Sequence, residues 1–250
     1  MSAGAVRFEV VNDPVFQQNG RVAFLEDGGP CWLIDPGPPP QADQMIRFVG
    51  DHRLVPVAVV LTHAHADHIA GVDDVCDALG ALPIYLAREE WSMLRDAHEN
   101  LSASAGVPVA VAAEPLRDLP EGEVLELGTS RWRVLDTSGH SPGGRSLYCA
   151  EQGVVLAGDA LFARSIGRYD FPHSDGDRLI RNIHQKLMTL PDETRVLSGH
   201  GPDTTIGAER RSNPFLTGPG AAQFIGRTNG VETPNEFPIH WADERCGDPE

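Results

Sequence analysis

Cysteine is scarce in this sequence, and its spacing excludes two common uses of the residue. The four cysteines form no CxxC or other spacing that is typical of a metal site. A disulfide framework needs more cysteines in a shorter chain, so we expect reduced thiols, three of them buried. The four are Cys31, Cys76, Cys149 and Cys246.

Positive charge is also in short supply. The 250-residue chain has 20 Lys and Arg against 36 Asp and Glu, which gives a formal net charge of −16. An acidic surface repels phosphate backbones and anionic membranes, so we expect neither nucleic acid nor a membrane as a partner. The composition suits an enzyme that acts on a small molecule, and it leaves the oligomeric state open.

The sequence also lacks long apolar runs. No run approaches the roughly 20 residues of a membrane span. The first segment, "MSAGAVRFEV", does not have the basic-then-apolar pattern of a signal peptide. We therefore expect the protein in the cytoplasm.

What the sequence does contain is a regular alternation of short apolar segments and turns, which predicts an α/β fold. The two halves are alike in type, and this favours two sheets packed face to face with helices outside. Predicted strands cover residues 6–11, 20–27, 30–37, 56–62, 83–87, 123–128, 131–137, 145–150, 154–159 and 195–199. Predicted helices cover residues 41–52, 67–80, 88–101 and 177–190.

The character of the sequence changes after residue 216. Residues 217–250 contain five Gly and four Pro and show no regular periodicity. Scattered aromatic residues such as Phe237 and Trp241 argue against full disorder, because disordered segments are usually poor in aromatics. We therefore divide the chain into a main domain, residues 1–216, and a Gly/Pro-rich appendage, residues 217–250.

The segment "LTHAHADH", residues 61–68, crowds three histidines and an aspartate together. It follows the apolar strand 56–62, and the ends of strands are where active groups project from a rigid frame. A helix cap beside surface histidines would explain Asp67 alone but not the three histidines after a buried strand. These four potential ligands are His63, His65, Asp67 and His68.

Three more potential ligands end other predicted strands. His140 lies in "DTSGHSPGG", Asp159 in "VVLAGDALF" and His200 in "VLSGHGP". Each alone has a simple structural explanation, such as a solvated loop histidine or a turn-capping aspartate. Both histidines follow a small-residue turn, which lets the backbone approach a crowded centre. Together, seven potential ligands end four strands in the same way, and this favours one common site.

Seven donors of these types suit two divalent cations. Neutral imidazole and carboxylate bind zinc, iron or manganese, and we expect zinc first. Two cations about 3.5–4 Å apart can share one bridging carboxylate and lower the pKa of water toward about 7. The predicted ligands are His63, His65, Asp67, His68, His140, Asp159 and His200.

These motifs, in this order, resemble the metallo-β-lactamase superfamily. "THAHADH", "SGH", "GD" and "SGHG" carry the resemblance, which runs from about residue 8 to about residue 216. It implies a four-layered αβ/βα sandwich, in agreement with the order of predicted elements. "GDALFARSIGRYDFP" and "IGAERRSNPFL" look like the glyoxalase II group, in particular its short bacterial type. That group hydrolyses thioesters such as S-lactoylglutathione.

The resemblance also implies how the ligands divide. Asp159 would bridge two metals, and an aspartate at this position speaks against a zinc β-lactamase. Asp35 in "LIDPG" matches a position that usually supports the site, and Asp67 is the expected catalytic residue, orienting the attacking hydroxide. The first metal would be held by His63, His65 and His140. The second would be held by Asp67, His68 and His200.

Three alternatives stay open. Persulfide dioxygenases resemble the same loops and use one iron, for which His63, His140 and Asp159 would form a 2-His-1-carboxylate triad. A lactonase or another esterase would use the same hydroxide. A non-catalytic relative should have lost ligands, whereas this chain has them all.

Long glyoxalase II proteins add a C-terminal helical region that helps to bind glutathione, and the sequence of residues 217–250 does not predict helices.

Beside the predicted ligands, the segment "SIGRYDFP" is expected near the mouth of the site. We interpret Arg168 as holding this loop, with contact to an anionic substrate as the alternative. Tyr169 and Phe171 are expected to line a wall or the core rather than to take part in catalysis.

Overall fold

The computed structural model describes residues 4–217, and within them two six-stranded sheets lie face to face. The first sheet has the order β1-β2-β3-β4-β5-β6. Its strands are β1 (Arg7–Asn12), β2 (Asn19–Phe24), β3 (Pro30–Ile34), β4 (Val55–Val60), β5 (Ile84–Leu86) and β6 (Leu116–Asp118). Strands β1 to β3 form an antiparallel meander, and β3 to β6 run parallel.

The second sheet has the order β14-β13-β10-β9-β8-β7. Its strands are β7 (Val124–Leu127), β8 (Ser130–Asp136), β9 (Arg145–Cys149), β10 (Val154–Gly158), β13 (Arg195–Ser198) and β14 (Thr204–Thr205). A separate hairpin joins β11 (Leu161–Phe162) to β12 (Ser165–Ile166). Because β9 is antiparallel to both β8 and β10, and β13 is parallel to β10, the strands β8, β10 and β13 all run in one direction.

Helices cover the outer faces of both sheets. The first sheet carries α1 (Gln41–Asp51) and α3 (Val72–Leu79), with α2 (Ala66–Ile69) just before α3. The second carries α4 (Gly176–Asn182), the π-helical turn Ile183–Leu187, α5 (Ile206–Ser212) and α6 (Pro214–Thr217). The predicted four-layered αβ/βα sandwich is therefore confirmed.

Alternation along the strands builds the layers. In β4, Ala58 and Val60 face the second sheet and lie in one apolar cluster with Trp32 of β3 and Trp132 of β8. Val59 faces the helices α1 and α3. Successive side chains on a strand point to opposite faces, so the end of β4 is covered on both sides. This agrees with the apolar run that predicts a strand at residues 56–62.

The helix predicted for residues 88–101 is wrong. The structure has a 3₁₀ helix at Arg88–Glu90, followed by successive turns. The Asn100 side chain donates to the carbonyl oxygens of Met93 and Val109, both at 2.9 Å, so it ties the turns to the following loop. Periodicity could not reveal these contacts, because they join the segment to a part of the chain without regular structure. The helix predicted for residues 67–80 exists but is divided into α2 and α3.

Two predictions concern parts of the chain that are only partly described. The expected burial of three cysteines is confirmed for Cys31, Cys76 and Cys149, which are unpaired thiols. Cys246 lies outside the described residues, as does the predicted appendage, residues 217–250, except for Thr217.

None of the helices within residues 4–217 has both the length and the apolar character that crossing a membrane requires.

Candidate metal centre

Four strand ends meet at one edge of the sandwich, and each is followed by predicted ligands. The strand β4 leads into the first histidine loop, residues 61–68. On the other sheet β8 leads to His140, β10 to Asp159 and β13 to His200. Because β8, β10 and β13 share one direction, their carboxyl ends lie at the same edge, and an isolated bridge between Gln18 and His200 joins that edge to the first sheet.

All seven predicted ligands lie in this one cluster. The structure groups them into overlapping sets whose potential ligand atoms lie within 4.8 Å of one another. The three sets are His63 with His65 and His140, His63 with His68 and Asp159, and Asp67 with His68 and His200. The chain segments that carry them are up to 137 residues apart, from His63 to His200, so the fold alone brings them together.

The first group consists of His63, His65 and His140, and all three are buried. Nδ1 of His65 lies 2.9 Å from Nε2 of His140. The ring of His63 lies 4.7 Å from the ring of His65 and 5.0 Å from that of His140, measured between centroids. Three imidazoles therefore surround one small space.

The second group consists of Asp67, His68 and His200, and it is more open. Nε2 of His200 lies 3.1 Å from Oδ2 of Asp67 and 3.4 Å from Nε2 of His68. The side chains of His200 and Asp67 expose 26% and 20% of their surface, whereas that of His68 is fully buried. This group therefore faces the mouth of the site.

Asp159 lies between the two groups. Its Oδ1 is 3.4 Å from Nε2 of His68, and its Oδ2 is 3.5 Å from Nε2 of His140 and 3.4 Å from Nε2 of His200. One carboxylate thus reaches histidines of both groups, as a bridging ligand would.

Contacts on the outer side of the rings orient four of the histidines. In each of them Nδ1 meets an oxygen atom, which leaves Nε2 for the centre. The oxygen atoms are Oγ1 of Thr62 for His63 at 3.2 Å, Oδ2 of Asp35 for His68 at 3.0 Å, the carbonyl of Arg168 for His140 at 2.7 Å and the carbonyl of Phe16 for His200 at 3.0 Å. As expected, Asp35 supports the site: it also accepts hydrogen bonds from the backbone N–H and the hydroxyl of Thr62, both at 2.7 Å.

Two features of the structure show that these side chains fit divalent cations. Nε2 of His63 is buried and has no hydrogen-bond partner within residues 4–217. A buried nitrogen without a partner is costly unless something else binds it. The backbone also makes room: a Cβ added to Gly199 would lie 2.1 Å from Oδ1 of Asp159, so only glycine fits there. Imidazole and carboxylate atoms in this arrangement are ligands that zinc, iron or manganese accepts.

The electrostatics differ between the groups. Burial lowers the pKa of His63 and His140 and brings the pKa of His65 to about 3, so these rings are neutral. Burial also acts to lower the pKa of His68 and His200, but nearby carboxylates outweigh it and both pKa values are raised. The pKa of Asp159 is held well below its usual range, because His200 and His68 outweigh the effect of burial. Neutral imidazoles and ionised carboxylates are the forms that bind metals.

The segment "SIGRYDFP" lies beside the first group. The ring of Phe171 packs 5.5 Å from the ring of His65 and 5.8 Å from that of His140. The Arg168 side chain pairs with Asp170 and lies 4.1 Å from the centre of the Phe171 ring. The interpretation of Phe171 as a wall residue and of Arg168 as a loop-holding residue agrees with these contacts.

Sequence reasoning missed one buried carboxylate at the site. Glu90 is fully buried and accepts hydrogen bonds from the backbone of two ligand loops, at Ala64 and Gly143. The helix predicted for residues 88–101 rests on its apolar side chains, and it gives no function for Glu90. A single Glu in "REEW" gives no periodic signal, so only the folded structure reveals it.

Comparison with known protein families gives one match over most of the domain. The family model described as the metallo-beta-lactamase superfamily matches residues 17–200. Among curated proteins, the probable metallo-hydrolase YqgX of Bacillus subtilis is 38% identical over 206 residues, which cover 82% of this chain and 96% of the relative. The hydroxyacylglutathione hydrolase GloC of Haemophilus influenzae is 34% identical over 212 residues, 84% of this chain and 98% of the relative.

Solved structures agree with this match. The BLEG-1 B3 metallo-beta-lactamase has a TM-score of 0.78 at 40% identity, covering 85% of this chain and 100% of its own. TTHA1623 in a di-iron-bound form has a TM-score of 0.73 at 37% identity, with 83% and 100% coverage. ETHE1 from Myxococcus xanthus has a TM-score of 0.69 at 27% identity and covers 88% of both chains.

Proposed function

The chain belongs to the metallo-β-lactamase superfamily, and from this premise we propose that it is a metal-dependent hydrolase of thioesters, of the glyoxalase II type. The observation that carries the proposal is the convergence of five histidines and two aspartates at one edge of the sandwich. The substrate class is a 2-hydroxyacyl thioester of a small thiol. The name of the relative GloC, hydroxyacylglutathione hydrolase, supports this class.

In this proposal the seven residues hold two divalent cations, with zinc expected first and iron or manganese as alternatives. His63, His65 and His140 would hold one, and Asp67, His68 and His200 the other. Asp159 would serve both, since it reaches histidines of each group. When bound, the cations would provide hydroxide near neutral pH and polarise the substrate carbonyl.

Asp67 is the residue that we assign to catalysis. Its carboxylate is partly exposed at the mouth, and His68 and His200 hold its pKa below the usual range against the effect of burial. It is therefore ionised at neutral pH and can accept a hydrogen bond from the attacking water, which orients the oxygen toward the substrate. The leaving thiolate needs little help, because a thiol with a pKa of about 8.5 is a fair leaving group.

The surroundings favour a small and partly apolar substrate. Phe171 packs against His65 and His140 of the first group, and the ring of Phe162 lies 6.0 Å from that of His200. These rings can contact an acyl group without competing for the ligands. We propose a small-molecule partner, in keeping with the net charge of −16. The cytoplasmic location stays a prediction.

Metal analysis combined with a substrate panel tests the proposal. The purified protein is assayed with S-lactoylglutathione, thioesters of other small thiols, lactones and a β-lactam, and thiol release is followed with a thiol reagent. We expect two metal equivalents per chain and thioester cleavage that chelation abolishes and added Zn²⁺ restores. Undiminished turnover after exhaustive chelation, or a preference for lactones or β-lactams, would contradict the proposal.

A persulfide dioxygenase is the second candidate. The ETHE1 structure is 27% identical in sequence to this chain. His63, His140 and Asp159 would provide the two histidines and one carboxylate of a mononuclear iron site. The discriminating experiment measures oxygen uptake with glutathione persulfide. Oxygen consumption together with one iron per chain would replace the hydrolase proposal, whereas the hydrolase consumes none.

A further inference from the structure

We propose that Glu90 is a positioning residue that fixes the two loops carrying His63, His65 and His140, and so sets the affinity of this first ligand group for a divalent cation. The inference rests on the proposed function, because it concerns how that site is held. Within residues 4–217, Glu90 makes no hydrogen bond to any of the seven predicted ligands and acts through the backbone of their loops.

The geometry is that of one carboxylate between two loops. Oε2 of Glu90 accepts a hydrogen bond from the backbone N–H of Ala64 at 2.5 Å, and Oε1 accepts one from Gly143 at 2.7 Å. Ala64 lies between His63 and His65, and Gly143 follows His140 by three residues. A displacement of this carboxylate would therefore alter the spacing within the first group.

The carboxylate is fully enclosed, so its contacts are not incidental surface bonds. Glu90 has no exposed surface. Burial raises the pKa of its carboxyl, and Ser141 together with the backbone N–H groups of Gly143 and Ala64 opposes that rise. Burying an ionisable group is expensive unless donors surround it, and here the donors belong to two loops of the candidate site.

The second loop is shaped to reach the carboxylate. A Cβ added to Gly143 would lie 2.9 Å from Cγ of Glu90 and from Cβ of Ala87, so the close approach requires glycine. Arg145 reinforces the same contact between loops. Its backbone N–H donates to the carbonyl of Thr62 at 2.9 Å, and its guanidinium donates to the carbonyl of Gly143 at 3.1 Å.

The two groups differ in the carboxylate that lies nearest to them. Glu90 accepts hydrogen bonds from the backbone beside His63, His65 and His140. Asp35 contacts the ring of His68 directly and reaches His63 only through Thr62. Loss of Glu90 should therefore weaken one metal position more than the other. A general loss of stability would not produce such selectivity.

The main test is the substitution Glu90→Gln, measured by Zn²⁺ titration against a chromophoric chelator. The amide has one acceptor oxygen, so it can accept from only one loop and turns its NH₂ group toward the other backbone N–H. We expect Zn²⁺ affinity at one position to fall about 10–100-fold, as for other outer partners of metal ligands, with the second position unchanged. Hydrogen exchange of the metal-free protein should show faster exchange at Ala64 and Gly143.

Two single-position backgrounds identify the position affected. In His200→Ala, which retains the first group, Glu90→Gln should lower Zn²⁺ affinity. In His65→Ala, which retains the second group, it should have little effect. If the wild-type protein binds two Zn²⁺, an equal loss of Zn²⁺ affinity in both backgrounds, or no loss in either, would overturn the inference. A wild-type protein that binds no Zn²⁺ would instead reject the proposed function.

Asp73→Asn is the matched control. Asp73 also accepts hydrogen bonds from two backbone N–H groups, those of Ala112 and Ala113, in a loop without predicted ligands. The same change from carboxylate to amide should leave both Zn²⁺ affinities unchanged. If Glu90→Gln does not fold, Gly143→Ala tests the same contact with the carboxylate intact and should weaken the first position. Wild-type affinity in Gly143→Ala would count against the inference.

Discussion

The two ligand groups share a site but are built differently. The first consists of histidines alone, and all of them are buried, with Phe171 packed against His65 and His140. The second includes a carboxylate, and two of its three side chains, Asp67 and His200, are partly exposed. A buried group of fixed geometry suits a permanently held cation. The open group suits the side where substrate and water enter.

Charge separates the groups as clearly as burial does. In the first group the pKa values of the histidines are lowered, so the rings are neutral before any metal binds. In the second group the carboxylates raise the pKa values of His68 and His200. A cation entering the second group must therefore replace protons that already neutralise the carboxylates. The pKa shifts therefore bias the two positions toward opposite protonation states.

The largest expected effect is on the residue that the two groups share. Asp159→Ala should reduce bound metal at both positions, because its carboxylate reaches His140, His68 and His200. Thioester hydrolysis should fall by more than the 10–100-fold that is typical for loss of an outer partner. Elemental analysis and thiol release provide the two readouts.

The control for this substitution is Asp192→Ala, which removes an exposed carboxylate that pairs with Arg211. It should leave metal content and turnover unchanged. Retention of one full metal equivalent by Asp159→Ala would show that Asp159 serves a single group, and the picture of two groups joined by one bridging residue would fail.

Sequence alone could predict which residues cluster but not the difference between the groups. The motifs at the strand ends indicate His63, Asp159 and the other members of the cluster, because apolar strands and the histidine spacing are local features. Burial and protonation depend on what the rest of the chain packs against each ring. Glu90 shows this most clearly, because its partners Ala64 and Gly143 are 26 and 53 residues away.

The helix predicted for residues 88–101 fails for a related reason. Apolar spacing indicates a helix, but this segment is fixed by contacts outside itself. Asn100 reaches the carbonyl of Val109, and Glu90 reaches the ligand loops. The sheets were easier to predict, because alternation of apolar and polar residues indicates a strand with one buried face, and an apolar run indicates a strand buried on both faces. The division of the main domain and the appendage at residue 216 stays a prediction.

An intermediate effect is expected for Asp35, which contacts the ring of His68 directly and reaches His63 through Thr62. Asp35→Asn replaces the carboxylate that accepts from Thr62 and meets Nδ1 of His68 at 3.0 Å. The amide has one acceptor oxygen, so the ring of His68 loses part of its orientation. We expect Zn²⁺ affinity to fall about 10–100-fold at the second position, and less at the first. Zn²⁺ titration in the His65→Ala background measures the second position separately.

Thr205→Ala provides the control for stability in that experiment. Thr205 caps α5 by accepting from the N–H of Ala208 at 3.2 Å, and loss of such a cap costs about 1 kcal/mol of stability. Zn²⁺ affinity should be unaffected. An equal fall at both positions in Asp35→Asn would mean that Asp35 supports the whole cluster rather than the second group.

The two positions should also differ in their pH dependence. Raised pKa values keep His68 and His200 protonated to higher pH, so Zn²⁺ must displace protons there as the pH falls. Affinity at the second position should decline between pH 8 and pH 6 by up to about tenfold per pH unit for each proton displaced. The pKa of His65, about 3, leaves the first position without such competition in this range. Titrations across pH in His65→Ala and in His200→Ala measure the second and first positions in turn. Parallel slopes would show that the two groups begin from the same protonation state, and the electrostatic half of the comparison would be wrong.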